Sequence, residues 1–399
     1  MGALVISLAE AFDPRRNAIG FVRWLMAFMV IFSHAGPIAG FYGGKDLGTQ
    51  LSREQSLGGV AVCGFFFLSG FLITRSKMGP ISTLRFLWHR FLRIYPGFFL
   101  ILLMTAFVFG PIAWAREAGT MNGYWNAGTA SPLTYFSNNF TLILKQIDIA
   151  GMGTSTPAYQ ISGIRDWNGS AWTLAFEFGA YLLVALLGVF GALANRLVGG
   201  LVAGGIIALS TMQWLGIGNL PGLSHVFGDN RLLLLFAPFA WGMLFQLFKD
   251  RIPIDDRVAI ACLVVAAATY AKGGWLVAGQ YAFCYVLMWF GIRATRLAGW
   301  DRHADLSYGI YISGWPLMWL ATYFHVQDWG WLAYHAIVVV GCHVYAYGSW
   351  HLVEKPAMSL KRWTPRWGHW LLDRTADARA GWQSLLERRL VITRSKVGS

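Results

Sequence analysis

Long apolar runs, each bounded by charges or by turn-forming residues, fall at 19–40, 57–73, 94–115, 171–190, 197–217, 231–248, 258–271, 275–292, 306–323 and 331–353. A hydrocarbon core of about 30 Å needs roughly 20 apolar residues per helix. Backbone polar groups in lipid must bond within the protein, so runs of this length predict spanning helices. The pattern therefore predicts an all-α fold, a polytopic membrane helical bundle of about ten transmembrane helices. The 258–271 run is the shortest against a bilayer.

Two stretches break the pattern. Residues 116–170 are rich in Gly, Thr, Asn and Ser, with Pro132 and Pro157. Connections of that length are usually functional or disordered, and this one is expected as an external cap over the outer mouth of a membrane domain spanning 1–356. The tail, 357–399, mixes Trp363, Trp367, Trp370 and Trp382 with many Lys and Arg. It suits either an interfacial helix on the inner leaflet or a solvated basic tail.

Composition agrees with a lipid solvent. The chain is 56% hydrophobic and only 13% charged, with a mean hydropathy of +0.48, against about 25% charge in soluble chains. With the N-terminus inside, 25 of the 32 Lys and Arg lie on cytoplasmic segments and 7 outside. That bias puts both termini in the cytoplasm. It also accounts for the net charge of +13 by attraction to an anionic leaflet, so no nucleic-acid partner is implied. The first fifteen residues carry Glu10 inside their apolar stretch and Arg15 and Arg16 after it, the wrong order for a cleaved signal, and the N-terminus is expected to be retained. Cys63, Cys262, Cys284 and Cys342 all lie in apolar runs without metal-like spacing and read as core residues.

The chemistry concentrates in the first run. Arg23 and His34 are eleven residues apart, which returns them to within about 20° of one helix face and about 16 Å apart along the axis. Ionisable groups inside a membrane are costly and normally face a cavity or a partner. His34 is thus the leading catalytic candidate.

This pair is followed by Gly64-Phe65-Phe66-Phe67-Leu68-Ser69-Gly70-Phe71-Leu72-Ile73 and by Arg90-Phe91-Leu92-Arg93-Ile94-Tyr95-Pro96. Further on come Trp172-Thr173-Leu174-Ala175-Phe176-Glu177, Ser307-Tyr308-Gly309-Ile310-Tyr311 and Glu354-Lys355-Pro356. In this order the set resembles acyltransferase family 3, the membrane O-acyltransferases of cell-envelope polysaccharides. The likeness runs from about residue 17 to 358. One departure is Gly314, which stands before Trp315-Pro316 where many relatives carry a His.

The resemblance implies a multi-pass enzyme of the bacterial inner membrane. It would move an acyl group, commonly acetyl, from cytoplasmic acetyl-CoA to a sugar hydroxyl of a polysaccharide or its lipid-linked precursor, with no bound cofactor. His34 could take the hydroxyl proton or carry the acyl group transiently. Arg23, Arg90 and Arg93 could hold the donor phosphates through their guanidinium forks, with Ser69 and Tyr308 beside them. Equal depth below the outer surface suggests Glu177 as the carboxylate that orients His34. His343 is expected to be packed and hydrogen-bonded, Asp305 to be a helix N-cap or first-turn acid, and His225 with Asp229 to lie in an acceptor loop at best. Two rivals remain: the membrane-bound O-acyltransferases, whose histidine sits late in the chain, and a proton-coupled transporter or exporter using Arg23, His34 and Glu177 as a relay.

Overall fold

The computed structural model describes residues 6–52, 54–163, 165–217 and 230–363. His225, Asp229 and the tail beyond Trp363 lie outside the described residues. The chain opens with strand β1 (Ile6–Ser7) and a short helix α1 (Leu8–Ala11), then α2 (Ile19–Ala39) and α3 (Leu57–Met78). Helix α4 (Thr83–Met104) continues through a π-helical turn into α5 (Gly110–Ala118). After the short helices α6 (Pro132–Asn139) and α7 (Pro157–Ser162) come α8 (Thr173–Val189), α9 (Arg196–Trp214) and α10 (Asn230–Leu247). Strand β2 (Pro253–Ile254) pairs antiparallel with β1, Ile6 opposite Ile254. Then follow α11 (Asp256–Lys272), α12 (Gln280–Arg293) after a π-helical turn at Trp275–Gly279, α13 (Ser307–Tyr323), α14 (Trp331–Ser349) and, past a further π-helical turn at Trp350–Glu354, α15 (Lys355–Ser359).

Every predicted apolar run therefore lies on a helix. Among the described residues six helical stretches are long and apolar enough to cross a membrane: Ile19–Ala39, Leu57–Met78, Thr83–Ala118, Arg196–Trp214, Trp275–Arg293 and Trp331–Arg362. Helices α8 and α10 are apolar but shorter. The architecture is that of a multi-pass membrane protein.

Helix α13 is the hub. Almost all its side chains are buried, as expected of a helix apolar on every side, and it lies between α2 and α14. The α3–α10 crossing is closer still. A Cβ on Gly70 would stand 2.0 Å from the Phe239 carbonyl oxygen, and one on Gly242 would stand 2.1 Å from that of Phe67. Only the missing side chains let these backbones meet, which is how small residues drive helix association in lipid.

The segment between α5 and α8, expected as an external cap, packs into the bundle on two flanks. On one flank Tyr124 donates to the Ala106 carbonyl at 2.6 Å, Phe136 stands edge-on to Phe99 at 4.9 Å, and the Tyr95 hydroxyl donates to the Phe140 carbonyl. On the other flank it descends α13: Trp167 stacks on Tyr323 at 5.8 Å, Trp315 donates to the Asp166 carbonyl at 2.6 Å, and Tyr311 donates to the Ser170 carbonyl at 2.9 Å. Tyr311 is only about one turn from the Ser307 end of α13. Helix α8 thus begins deep in the bundle rather than at its outer rim.

Replacing Gly70 with Ala is expected to destabilise the protein by about 1–3 kcal/mol, the usual cost of overpacking. A thermal melt of the solubilised variant, read against wild type, checks this, and an unchanged midpoint would refute it.

Candidate active site

His34 stands one turn before the end of α2, and its partner comes from the loop that follows. At Gly36 a Cβ would overlap the Lys45 carbonyl at 1.8 Å, so the bare backbone lets residues 40–49 fold back over the helix. That reversal lays Asp46 on the imidazole, His34 Nδ1 to Asp46 Oδ1 at 2.7 Å. A carboxylate oxygen beside it only accepts, so Nδ1 carries the hydrogen and Nε2 keeps its lone pair. Nε2 has no partner among the described residues. The same Asp46 oxygen accepts from Ser33 Oγ at 3.0 Å, and Ser33 Oγ accepts from the Gly58 amide at 2.8 Å. The first turn of α3 thereby holds the dyad in place.

Trp315 closes another side of His34, edge to face with ring centroids 4.9 Å apart. Gly314, in the place where relatives carry a His, packs against Ile31, so that a Cβ there would lie 3.3 Å from Ile31 Cγ1.

The arginines gather at the end of α2 away from His34, where α4 meets the start of α13. Asp305 Oδ2 accepts from Arg23 Nη1 at 2.8 Å and from Arg93, while Oδ1 accepts from the Ser307 hydroxyl at 2.6 Å. Arg93 also faces the buried Glu354 at 3.5 Å, itself held by Ser349 at 2.8 Å. Burial alone would push the Asp305 carboxyl up, but the two guanidiniums and the hydroxyl outweigh it and hold it well below the ordinary carboxylate range. Asp305 is not the expected N-cap, since α13 has no side-chain cap at its start. It is the counter-ion that clamps α2 to α4.

Beside this clamp is a cavity of about 120 Å³. Arg23, Arg90, Arg93, Ser69, Glu177 and Tyr308, six of the seven predicted site residues, all line it. The seventh, His34, does not. Arg90 lies over the rings of Phe86 and Tyr181 at 5.8 and 6.0 Å. It makes no ion pair among the described residues, and its Nε is buried without an acceptor. A guanidinium with a donor left over in a cavity can take a further anion besides the nearby Glu177 carboxylate. Tyr308 lends the cavity its ring only, because its hydroxyl donates to the Ile94 carbonyl at 2.6 Å.

The expected pairing of His34 with Glu177 is corrected here. The Glu177 carboxylate accepts from Tyr181 and faces the arginine cavity. The two residues do not share a depth, because α8 starts in the interior and Glu177, its fifth residue, lies deeper still. The cavity nevertheless climbs toward His34. Its upper lining includes Val62, one turn or about 6 Å below Gly58, where a Cβ would stand 3.4 Å from His34 Cε1. His343 is packed as expected, accepting from Trp24 Nε1 at 3.0 Å and donating to the Val339 carbonyl at 2.8 Å.

Asp46, Asp305 and Asp166 were missed or misread from sequence. For Asp46 a signal existed: it is the first acid after His34, reached through the Gly43-Gly44 turn.

The fold is a multi-helix membrane bundle with a His–Asp pair above an arginine-lined cavity. The acyltransferase-domain family model matches residues 16–350, and the chain belongs to this acyltransferase family; it is an O-acyltransferase. It is 26% identical over 364 residues to an O-acetyl transferase of Shigella phage Sf6, covering 86% of this chain and 96% of that one. It is 28% identical over 382 residues to Nodulation protein 10 of Rhizobium leguminosarum bv. viciae, covering 88% and 96%. A shorter match, 32% over 167 residues, covers 41% of this chain and 37% of Acyltransferase MdmB of Streptomyces mycarofaciens. No solved structure matches the chain.

Asp166 generates a pH prediction. Burial pushes its carboxyl up to about 6, the Asn168 amide opposing the rise. Its neighbour Arg165 is turned to Asp148 and the Gly151 carbonyl. A raised carboxylate pKa favours the folded state while the group is protonated. This contribution is therefore complete below about pH 4 and is lost as pH rises through about 6. Relative to wild type, Asp166→Asn should melt higher at pH 7 than at pH 4.5; a difference that does not change with pH would refute this.

Proposed function

We propose that this O-acyltransferase moves an acetyl group from cytoplasmic acetyl-CoA to a sugar hydroxyl of an envelope or exported polysaccharide or its lipid-linked precursor, in the bacterial inner membrane with both termini inside. The observation that carries the reading is His34, its Nδ1 held by Asp46 and its Nε2 without a partner among the described residues, one helical turn above a cavity lined by Arg23, Arg90 and Arg93. The donor phosphates meet Arg90 and the free side of Arg23, and the acyl arm extends along the lining past Thr173 and Tyr311 toward Val62. The acceptor enters from the outer side, between Trp315 and the folded-back loop.

Chemically, the acceptor oxygen attacks the thioester carbonyl carbon while Nε2 takes its proton. The new C–O bond forms, the C–S bond breaks, and the imidazolium returns the proton to the departing thiolate. Asp46 keeps the ring in the productive tautomer and stabilises the imidazolium as it forms, the role of a carboxylate in other acyl-transfer sites. A proton relay through Arg23, His34 and Glu177 lacks support, since Arg23 is engaged by Asp305 and His34 by Asp46.

Radiolabel transfer from acetyl-CoA by purified protein, with mass spectrometry of envelope glycans from cells with and without it, tests the reading. His34→Ala should retain less than about one per cent of wild-type turnover, since general acid–base help is worth roughly 10²–10⁴-fold. Asp46→Asn should lose a large part of kcat with little change in donor KM. Turnover by His34→Ala above that level would overturn the mechanism.

Arg90→Lys keeps the charge but loses the planar fork. Its KM for acetyl-CoA should rise about tenfold, on the order of one lost charged hydrogen bond, with kcat nearly unchanged. An unaltered KM would remove Arg90 from the donor site.

A further inference from the structure

A second cavity, about 350 Å³, lies on the other side of the Arg23–Asp305 ion pair. Trp24, Trp300, His303, His343, Asp301 and Asp305 form most of its wall, and the transfer chemistry above uses none of its space. The two indoles stand 5.2 Å apart, inclined at 55°. Trp24 is fixed by its bond to His343 and by Phe28 stacked on it at 5.2 Å. Trp300 is braced edge-on by Phe21 at 5.1 Å and remains 48% exposed. The Asp301 carboxylate lies against Gly20, over the first turn of α2.

This lining selects a ligand chemistry. Asp305 is already taken by Arg23, Arg93 and Ser307, but the Asp301 carboxylate repels a phosphate and can only accept hydrogen bonds, so it favours a group rich in N–H donors. The indoles favour a flat aromatic ring, to which base–aromatic stacking gives sequence-tolerant affinity. No Lys or Arg lines the cavity, so a phosphate is better met on the arginine side. The two cavities are separated by a single ion pair, with Arg23 in the wall of one and Asp305 in the wall of the other.

We propose that this second cavity holds the purine base of the nucleotide thioester, stacked on Trp300 with its exocyclic amine toward Asp301, while the phosphates lie on the Arg23 and Arg90 side. The inference rests on the acyl-CoA reading and deepens it, by dividing the donor between two compartments across the Arg23–Asp305 pair. Trp300 is then an affinity residue for the base and takes no part in the transfer step.

The test compares two donors, acetyl-CoA and the acetyl thioester of 4′-phosphopantetheine, which lacks the nucleoside. With Trp300→Ala the KM for acetyl-CoA should rise about 5- to 150-fold, the loss of one stacked base. The KM for the truncated donor and the kcat with both should stay at wild-type values, which also shows that the variant folds. Trp300→Phe, retaining a ring face, should recover most of the affinity. An unchanged KM for acetyl-CoA, or an equal rise for both donors as expected of an indole that only anchors the interface, would overturn the proposal. No turnover by wild type with either donor would overturn the acyl-CoA reading itself.

Discussion

Charge inside a membrane protein must be answered by charge, and here the answer is Asp305. Its carboxylate takes Arg23 from α2 and Arg93 from α4, and Arg93 in turn meets Glu354 at the end of the last long helix. Four distant parts of the chain converge on one ion cluster. Removing one member of such a buried group leaves an uncompensated charge, typically at a cost of about 3–5 kcal/mol. The cluster therefore sets the mutual position of the helices that also bring Arg90 to the cavity.

The site has two levels that the fold keeps apart. The dyad is made by a loop folding back over Gly36 at one end of α2, and the arginine cavity is made near the other end. A donor spanning the two levels would bring its phosphates and its reactive carbonyl to groups of opposite kind, cationic at one end and basic at the other. The long polar segment contributes by packing along α13 down to Tyr311.

Glycine and tryptophan do much of the shaping. Gly70 and Gly242 let α3 and α10 touch backbone to backbone, while the ring of Trp315 joins Asp166 on the descending segment to the His34 imidazole. Packing alone, without a hydrophobic drive between helices in lipid, needs such close fits.

The sequence by itself determined what depends on local pattern. Apolar runs of spanning length placed every long helix, the eleven-residue spacing put Arg23 and His34 on one stripe of α2, and the ordered motifs named the family and six of the residues that share the arginine-lined cavity. Only the tertiary structure decided which carboxylate serves which cation. Depth along a helix is readable from sequence when the helix starts at a membrane surface; α8 starts in the interior, and Glu177 came out beside the arginines instead of His34. Asp46 and Asp305 sit in loops, whose course is set by a close approach at Gly36 and by long-range ion pairing. No periodicity records contacts of that kind, because they depend on where the chain returns rather than on the residues it passes through.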